Sequence, residues 1–433
     1  MKKVLIITYY WFPYYGTGTY RVSKIVKYLK KMGWEPIILT PNINALNYTV
    51  KKLDPVYEDI KVYHTKIFEP TSLFKKNKKE INVISNSSIF LSDNLSLKQK
   101  IFRWIRVNFF IPDAKLFWQF YAVKKGKYVI KKEKPDIIFS TSPPPTTNLI
   151  ARKLAKWSKL NWVADFRDPW TNIYYYEKLN ISGISKKLNK NLEKKVLRDA
   201  NKIITVSENF FPDSNINNKS FQIENGFDLD DFQYIEPPQS KNKKYTIRYI
   251  GTLKSNQFFE NFLKILKELS TNKEFQSHIK FETIGFLDED IKNYIKKELA
   301  NIEVNIIGYV AHKEAIEYMA SADLLIMAIG KGVQSKNVVS TKIFEYLMAG
   351  KPILAFGHTD GIANRILTET NGGKMFEYDA YESVKQYFLS NYNNWQNNNN
   401  GKKINQEELK KYNFFNLTQK IAAVMDSCLS NKN

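Results

Sequence analysis

Residues 340–373, STKIFEYLMAGKPILAFGHTDGIANRILTETNGG, decide how this chain is read. The apolar spacing around Glu345 predicts a short helix. Gly350-Lys351-Pro352 breaks it, residues 353–356 form an apolar strand, and a second helix follows. A short strand with no polar face belongs in a sheet covered on both sides, which is the parallel α/β arrangement. A carboxylate on the first turns of the helix feeding such a strand stands at the carboxyl edge of the sheet, where doubly wound sheets bind nucleotides. The alternative for Glu345 is a solvated helix carboxylate.

The same alternation runs through the rest of the chain. Residues 3–8 read as a strand, Val22, Ile25, Val26 and Leu29 as a helix face, Gly33 as its C-cap and residues 36–40 as the next strand. The basic-then-apolar start, MKKVLIITYYWF, mimics a secretion signal. It runs into a glycine loop without a small-residue cleavage site, so it reads as a first strand. Further strands are expected at 137–140, 162–164 and 202–205. Asn225-Gly226 with Asp228, Asp230 and Asp231 marks a turn, and 236–244 looks like a linker. A second series has strands at 246–250, 278–284, 304–307, 324–327 and 353–356; Phe258, Phe262, Ile265, Leu266 and Leu269 share one helix face. An Asn-rich loop spans 394–400 and a last helix about 406–429. The expected architecture is α/β: two Rossmann-like doubly wound parallel-sheet domains, 1–236 and 237–433, facing across a cleft. Residues 51–132 read as an insertion, and the last helix as packing back on the N-terminal domain.

A chain of 433 residues with 43% hydrophobic and 25% charged content is globular. It has no run of about 18 apolar residues, so no membrane-spanning helix is expected. A lone cysteine, Cys428, excludes an internal disulfide and a cysteine metal site, and a cytoplasmic location is the default. The net charge of +23 is concentrated: residues 74–132 hold 14 Lys or Arg against three acids, Glu80, Asp93 and Asp113. Eleven aromatics share that segment, Phe102, Trp104, Phe109, Phe110, Phe117, Trp118 and Tyr121 among them. Cations mixed with large rings suit an anionic membrane surface. The alternative is compositional bias on solvated faces. No nucleic-acid module is recognisable, so nucleic acid is not an expected partner.

Three further stretches carry chemistry. Gly16-Thr17-Gly18 follows a strand and opens a helix, so its amides can approach a diphosphate. A full dinucleotide fingerprint fails because position 21 is Arg. Asp165-Phe166-Arg167-Asp168-Pro169 loads a strand end with charges that are costly there unless they pair or bind something. The alternative is an internal ion pair of Arg167 with Asp165 or Asp168, closing a turn at Pro169. Asp228 and Asp230 read as a turn rather than a metal site. The four histidines, His64, His278, His312 and His358, show no ligand spacing, so no metal is expected. No Ser-His-Asp pattern in its usual context is present.

The 340–373 stretch, with two βα series around it, resembles the donor-binding module of family 4 glycosyltransferases, retaining enzymes of the GT-B fold. The block from Asp165 to Ser207 resembles a bacterial subgroup that builds cell-surface polysaccharide. The resemblance covers nearly all of the chain outside 51–132. It implies that Glu345 holds ribose hydroxyls, that Gly16 and Gly18 lie over the donor sugar, and that Thr17 and Arg167 contact sugar or acceptor. Asp165 and Asp168 become the catalytic candidates at the transferred sugar. Lys254 would neutralise the diphosphate, where the family usually has an Arg as well. Tyr309, in Gly308-Tyr309-Val310, would lie in the loop that reads the base. Asn337 stands eight residues before Glu345, where the family has a second Glu. Amides of Val339, Ser340 and Thr341, with Lys342, would hold the leaving phosphate.

The implied activity is retaining transfer of a hexose-type sugar from a nucleoside diphosphate, UDP foremost. The acceptor would be a lipid-linked saccharide at the inner face of the cell membrane, with no cofactor beyond the nucleotide-sugar co-substrate. Rival readings are a nucleotide-sugar epimerase of the same fold and a membrane-associated scaffold without activity, the latter suggested by Asn337.

Overall fold

The computed structural model describes residues 1–14, 17–42, 55–68, 96–173, 176, 179–208, 210–212, 215–216, 218–233, 242–399 and 403–430. Two compact units emerge: Met1–Glu224 with Phe414–Asn433, and Asn225–Asn413. The sequence places the division at 236/237. In the structure it falls at 224/225 and again at 413/414.

The first unit holds a seven-stranded parallel sheet in the order β3-β2-β1-β4-β5-β6-β7. Its strands are β1 (Lys2–Thr8), β2 (Trp34–Pro41), β3 (Lys61–Thr65), β4 (Ile137–Ser142), β5 (Asn161–Phe166), β6 (Lys202–Thr205) and β7 (Ser220–Gln222). Helices α1 (Thr17–Leu29), α2 (Leu97–Phe109), α3 (Trp118–Glu133), α4 (Thr146–Ser158) and α5 (Gly183–Asp199) accompany them. The pleat sends alternate residues of β1 to opposite faces. Leu5 and Ile7 join a cluster with Trp118, Val129 and Leu154; Val4 and Ile6 join one with Val22, Val26, Leu417 and Met425. Both faces are therefore dry, and β1 needs no polar side.

Region 51–132 is only partly an insertion. Strand β3 pairs with β2, and α3 covers the sheet through Trp118, whose indole Nε1 donates to Thr65 Oγ1 at 2.7 Å. Within that region, 51–54 and 69–95 lie outside the described residues.

The second unit holds a six-stranded parallel sheet ordered β10-β9-β8-β11-β12-β13. Its strands are β8 (Tyr245–Ile250), β9 (Ile279–Ile284), β10 (Glu303–Ile307), β11 (Leu324–Ala328), β12 (Ile353–Phe356) and β13 (Gly373–Phe376). Its helices are α6 (Glu260–Leu269), α7 (Lys273–His278), α8 (Glu289–Glu298), α9 (His312–Ala320), α10 (Lys342–Met348), α11 (Ile362–Glu369), α12 (Tyr381–Gln396) and α13 (Gln406–Lys410). Strand order reverses between β8 and β11, which is where a doubly wound sheet opens a crevice at its carboxyl edge.

The single last helix expected at 406–429 is two helices. After α13 the chain breaks at 411–413, where Phe227 N donates to Tyr412 O at 3.0 Å, and α14 (Phe414–Ser430) belongs to the first unit. There its Phe414 and Phe415 rings meet Tyr20 and Tyr28 of α1. Among the described residues no helix is long and apolar enough to cross a membrane.

Candidate functional site

In the second unit all strands are parallel, so the turns after β8, β9, β10 and β11 collect at one edge. Gly251 and Gly285, just past β8 and β9, have φ of +127° and +122°, where a side chain is strained. They also touch: Gly251 N donates to Ile284 O at 2.7 Å, and a Cβ on Gly285 would lie 2.4 Å from the Gly251 carbonyl oxygen. A Cβ on Gly251 would sit 2.1 Å from the Lys342 ammonium. The missing side chain at 251 is therefore the space that Lys342 Nζ fills.

Lys342 opens α10 and reaches back over β8, with Nζ 5.2 Å from the centre of the Tyr249 ring. It forms no ion pair with a described residue. Part of its surface stays exposed, yet protein packs densely enough around the ammonium that desolvation lowers its pKa to about 8; the Glu345 carboxylate pulls the other way. A cation held in this state gains from any anion that arrives. Helix α10 is fixed to β8 by Tyr346, whose buried hydroxyl accepts from Ile250 N at 3.0 Å and donates to Ile250 O at 3.3 Å.

One turn along, Glu345 is 9% exposed, and its Oε1 lies 2.9 Å from Nε2 of His312, the first residue of α9. His312 is half exposed and braces the carboxylate from the neighbouring βα unit. Tyr309, past β10, is 76% exposed and stacks at 6.1 Å on Phe286, past β9, which is also exposed. Lys254 follows β8 and leads into a short 3-10 turn; Asn337 ends another that precedes α10. Ser340 and Thr341 stand at the entry to α10, and neither hydroxyl caps it. Lys254, Tyr309, Asn337, Ser340, Thr341, Lys342 and Glu345 thus gather at one sheet edge. His312 and Phe286 are additions. Neither carries a spacing signal, because each meets its partner from a different βα unit.

The first unit corrects two expectations. Asp165 is wholly buried: Arg21 Nη2 donates to its Oδ1 at 2.8 Å, and Thr141 Oγ1 to its Oδ2 at 2.7 Å. Both oxygens are engaged inside the protein, so Asp165 anchors α1 rather than touching a sugar. Arg21, the residue that breaks the glycine fingerprint, also donates to the Ile223 and Glu224 carbonyls at 3.0 and 2.5 Å. Asp165 is paired, but through Arg21 instead of Arg167. Arg167 donates to the carbonyls of Ser142 (3.2 Å), Gly18 (2.5 Å) and Pro143 (2.8 Å), so it fixes backbone where a sugar contact was expected.

A Cβ on Gly18 would meet the Tyr10 ring at 2.6 Å, a packing reason for that glycine. Gly16 and the Thr17 side chain lie outside the described residues. Asp168 remains exposed, at a cavity of about 430 Å³ shared with Tyr10, Arg106, Phe110, Trp170 and Tyr176. Asp228 is buried, and its Oδ1 accepts from Asp230 N at 3.1 Å, holding the turn at 229–231. Among the described residues no group of three or more His, Cys, Asp or Glu could hold a metal ion.

Residues 244–390, within the second unit, match the family model Glycosyl transferases group 1. No curated protein matches the sequence. The Anabaena protein Alr3699/HepE, solved in complex with UDP, superposes with a TM-score of 0.62 at 13% identity, covering 99% of this chain and 100% of its own. A glycosyltransferase from Rickettsia africae ESF-5 gives 0.60 at 16%, covering 100% and 99%. The lipopolysaccharide outer core galactosyltransferase WaaB, in its apo form, gives 0.55 at 10%, covering 99% of each chain. At such identities the likeness is one of fold, and the fold is GT-B: two Rossmann-like domains, each on a parallel sheet.

Proposed function

We propose, from a glycosyl transferases group 1 domain set in a GT-B fold, that this protein is a retaining glycosyltransferase. Its donor is a nucleoside diphosphate hexose, UDP-linked, and its acceptor a lipid-linked saccharide presented at the inner face of an anionic membrane during surface polysaccharide assembly. The observation that carries the reading is Lys342: a cation without an ion-pair partner among the described residues, seated in the gap that Gly251 leaves at the reversal point of the sheet.

A diphosphate on Lys342 would satisfy its charge. Glu345, steadied by His312, would accept from two neighbouring ribose hydroxyls, and the exposed Phe286 and Tyr309 rings would flank the base. In the transfer the bond from sugar C1 to the phosphate oxygen breaks, and a bond from C1 to the acceptor oxygen forms on the same face. The acceptor proton passes to the departing phosphate. Lys342 favours this step because charge grows on that phosphate as the bond breaks. Asp168, an exposed carboxylate at the cavity of the first unit, would accept from acceptor hydroxyls. With Asp165 locked on Arg21, that carboxylate is not available as the acid or base an epimerase requires.

The test is turnover of UDP-sugars with and without lipid-linked saccharide, followed by NMR of the new linkage. The reading expects UDP release that depends on acceptor and a product with the donor's anomeric configuration. UDP-sugar conversion without acceptor would support the epimerase instead.

A further inference from the structure

Helix α2 turns its apolar side outward. Leu97, Ile101, Trp104, Ile105 and Phe109 recur at helical spacing and are 40–74% exposed, and no residue of the helix is buried. It is nonetheless a built element. Ser96 and Gln99 form a capping box at its start, and Asn108 binds it to α5, with Oδ1 accepting from Ser182 N at 2.7 Å and the carbonyl from Ser185 Oγ at 3.1 Å. Beyond its end, rings continue the surface: Phe110 meets Phe117, which meets Phe120, itself 68% exposed. An apolar strip of this kind marks something that covers it.

The charges say what. Residues 96–132 contain ten Lys or Arg and a single acid, Asp113. The carboxylate of Asp113 is spent on the amides of Lys115 and Thr146, at 2.8 Å each. Lys98, Lys100, Arg103 and Arg106 are interleaved with the strip on α2. Nucleic acid would use the cations, but it has no need of Leu97, Ile101 and Ile105. A helix with an apolar face, interleaved cations and aromatic rings is what lies in the headgroup zone of an anionic bilayer.

We propose that α2, with the Phe110–Phe117–Phe120 rings beside it, docks this protein on anionic phospholipid. Arg106 and Val107 of the same helix also wall the cavity that holds Asp168. Docking through α2 therefore brings that cavity to the bilayer surface, a consequence that rests on the lipid-linked acceptor of the preceding section.

Flotation of the full chain with vesicles of phosphatidylcholine, alone or mixed with phosphatidylglycerol, tests the docking. The wild type is expected to bind the mixed vesicles at least about tenfold better than the neutral ones, with the difference fading in high salt. Ile101→Glu with Trp104→Glu should cut binding to the mixed vesicles at least about tenfold. Lys98→Gln with Lys100→Gln should cost about fivefold per cation. All four positions are exposed, so the melting midpoint and its response to UDP should not change.

Wild type that ignores phosphatidylglycerol vesicles overturns the proposal. So does apolar-face variant binding equal to wild type, or retention of the wild type on an oligonucleotide while it ignores vesicles. Absence of a UDP response in the wild type would count against the transferase reading alone and leave the vesicle result standing.

Discussion

Replacing Lys342 with methionine keeps the aliphatic stem over Tyr249 and deletes the charge. A pKa lowered from 10.5 to about 8 means that holding the ammonium in the folded chain costs about 3 kcal/mol. Residual exposure and the lost contact with the Tyr249 ring reduce what the substitution recovers, leaving about 1–2 kcal/mol of added stability. For a unit of this size that is a rise of about 2–8 °C in melting midpoint. The same change removes a charged partner of the diphosphate, worth about 1.5–3 kcal/mol, or about 10- to 150-fold in affinity for UDP.

The pH dependence fixes the cause. Between pH 8 and 10.5 the unfolded chain holds the Lys342 proton and the folded chain does not, so wild-type stability gains with pH across that window. The advantage of Lys342→Met is thus full below about pH 8 and vanishes towards 10.5. UDP affinity of the wild type falls as pH rises through 8, while the variant's stays flat. Thermal melts and titration calorimetry over that range read both quantities. A variant that is less stable at pH 7, or that binds UDP as the wild type does, refutes the reasoning.

Glu345→Gln should weaken UDP about 10- to 100-fold in calorimetry, with His312→Ala costing about three- to tenfold by unbracing the same carboxylate. Asp165→Asn should lower stability by about 3–5 kcal/mol in denaturant melts, because it removes the carboxylate charge that the buried Arg21 faces; a fully stable, inactive variant would return Asp165 to a catalytic role. Gly251→Ala forces a Cβ into the Lys342 ammonium at φ +127°, so melts should show a loss of at least about 1 kcal/mol and UDP binding should fall with it.

The core strands were legible because both their faces are buried and they read as largely apolar runs, as β1, β11 and β12 do. The three strands that the sequence does not announce, β3, β7 and β13, all lie at sheet edges. There a strand of three to five residues needs little apolar character, and KVYHT and SFQ show none in excess. The last helix misled for a different reason. Its apolar spacing continues towards 411–413, and only the transfer of the chain between units breaks it.

At the site, Glu345 and Lys342 stood out because a local motif places them. His312 did not, since its pairing with Glu345 is made across two βα units. Asp165 and Arg167 were visible as charges in need of partners. Which partners they take depends on Arg21 and on backbone carbonyls that no local pattern reveals. The sequence break at position 21 was in fact the ion-pair partner.

Calorimetric titration of the full chain with UDP, GDP and ADP tests most directly whether the edge of the second sheet is a nucleoside diphosphate site. The expected result is one site for UDP, weakened by both Lys342→Met and Glu345→Gln, with protons taken up on binding when the pH exceeds 8. No binding of any of the three nucleotides, or binding that ignores both substitutions, would contradict it.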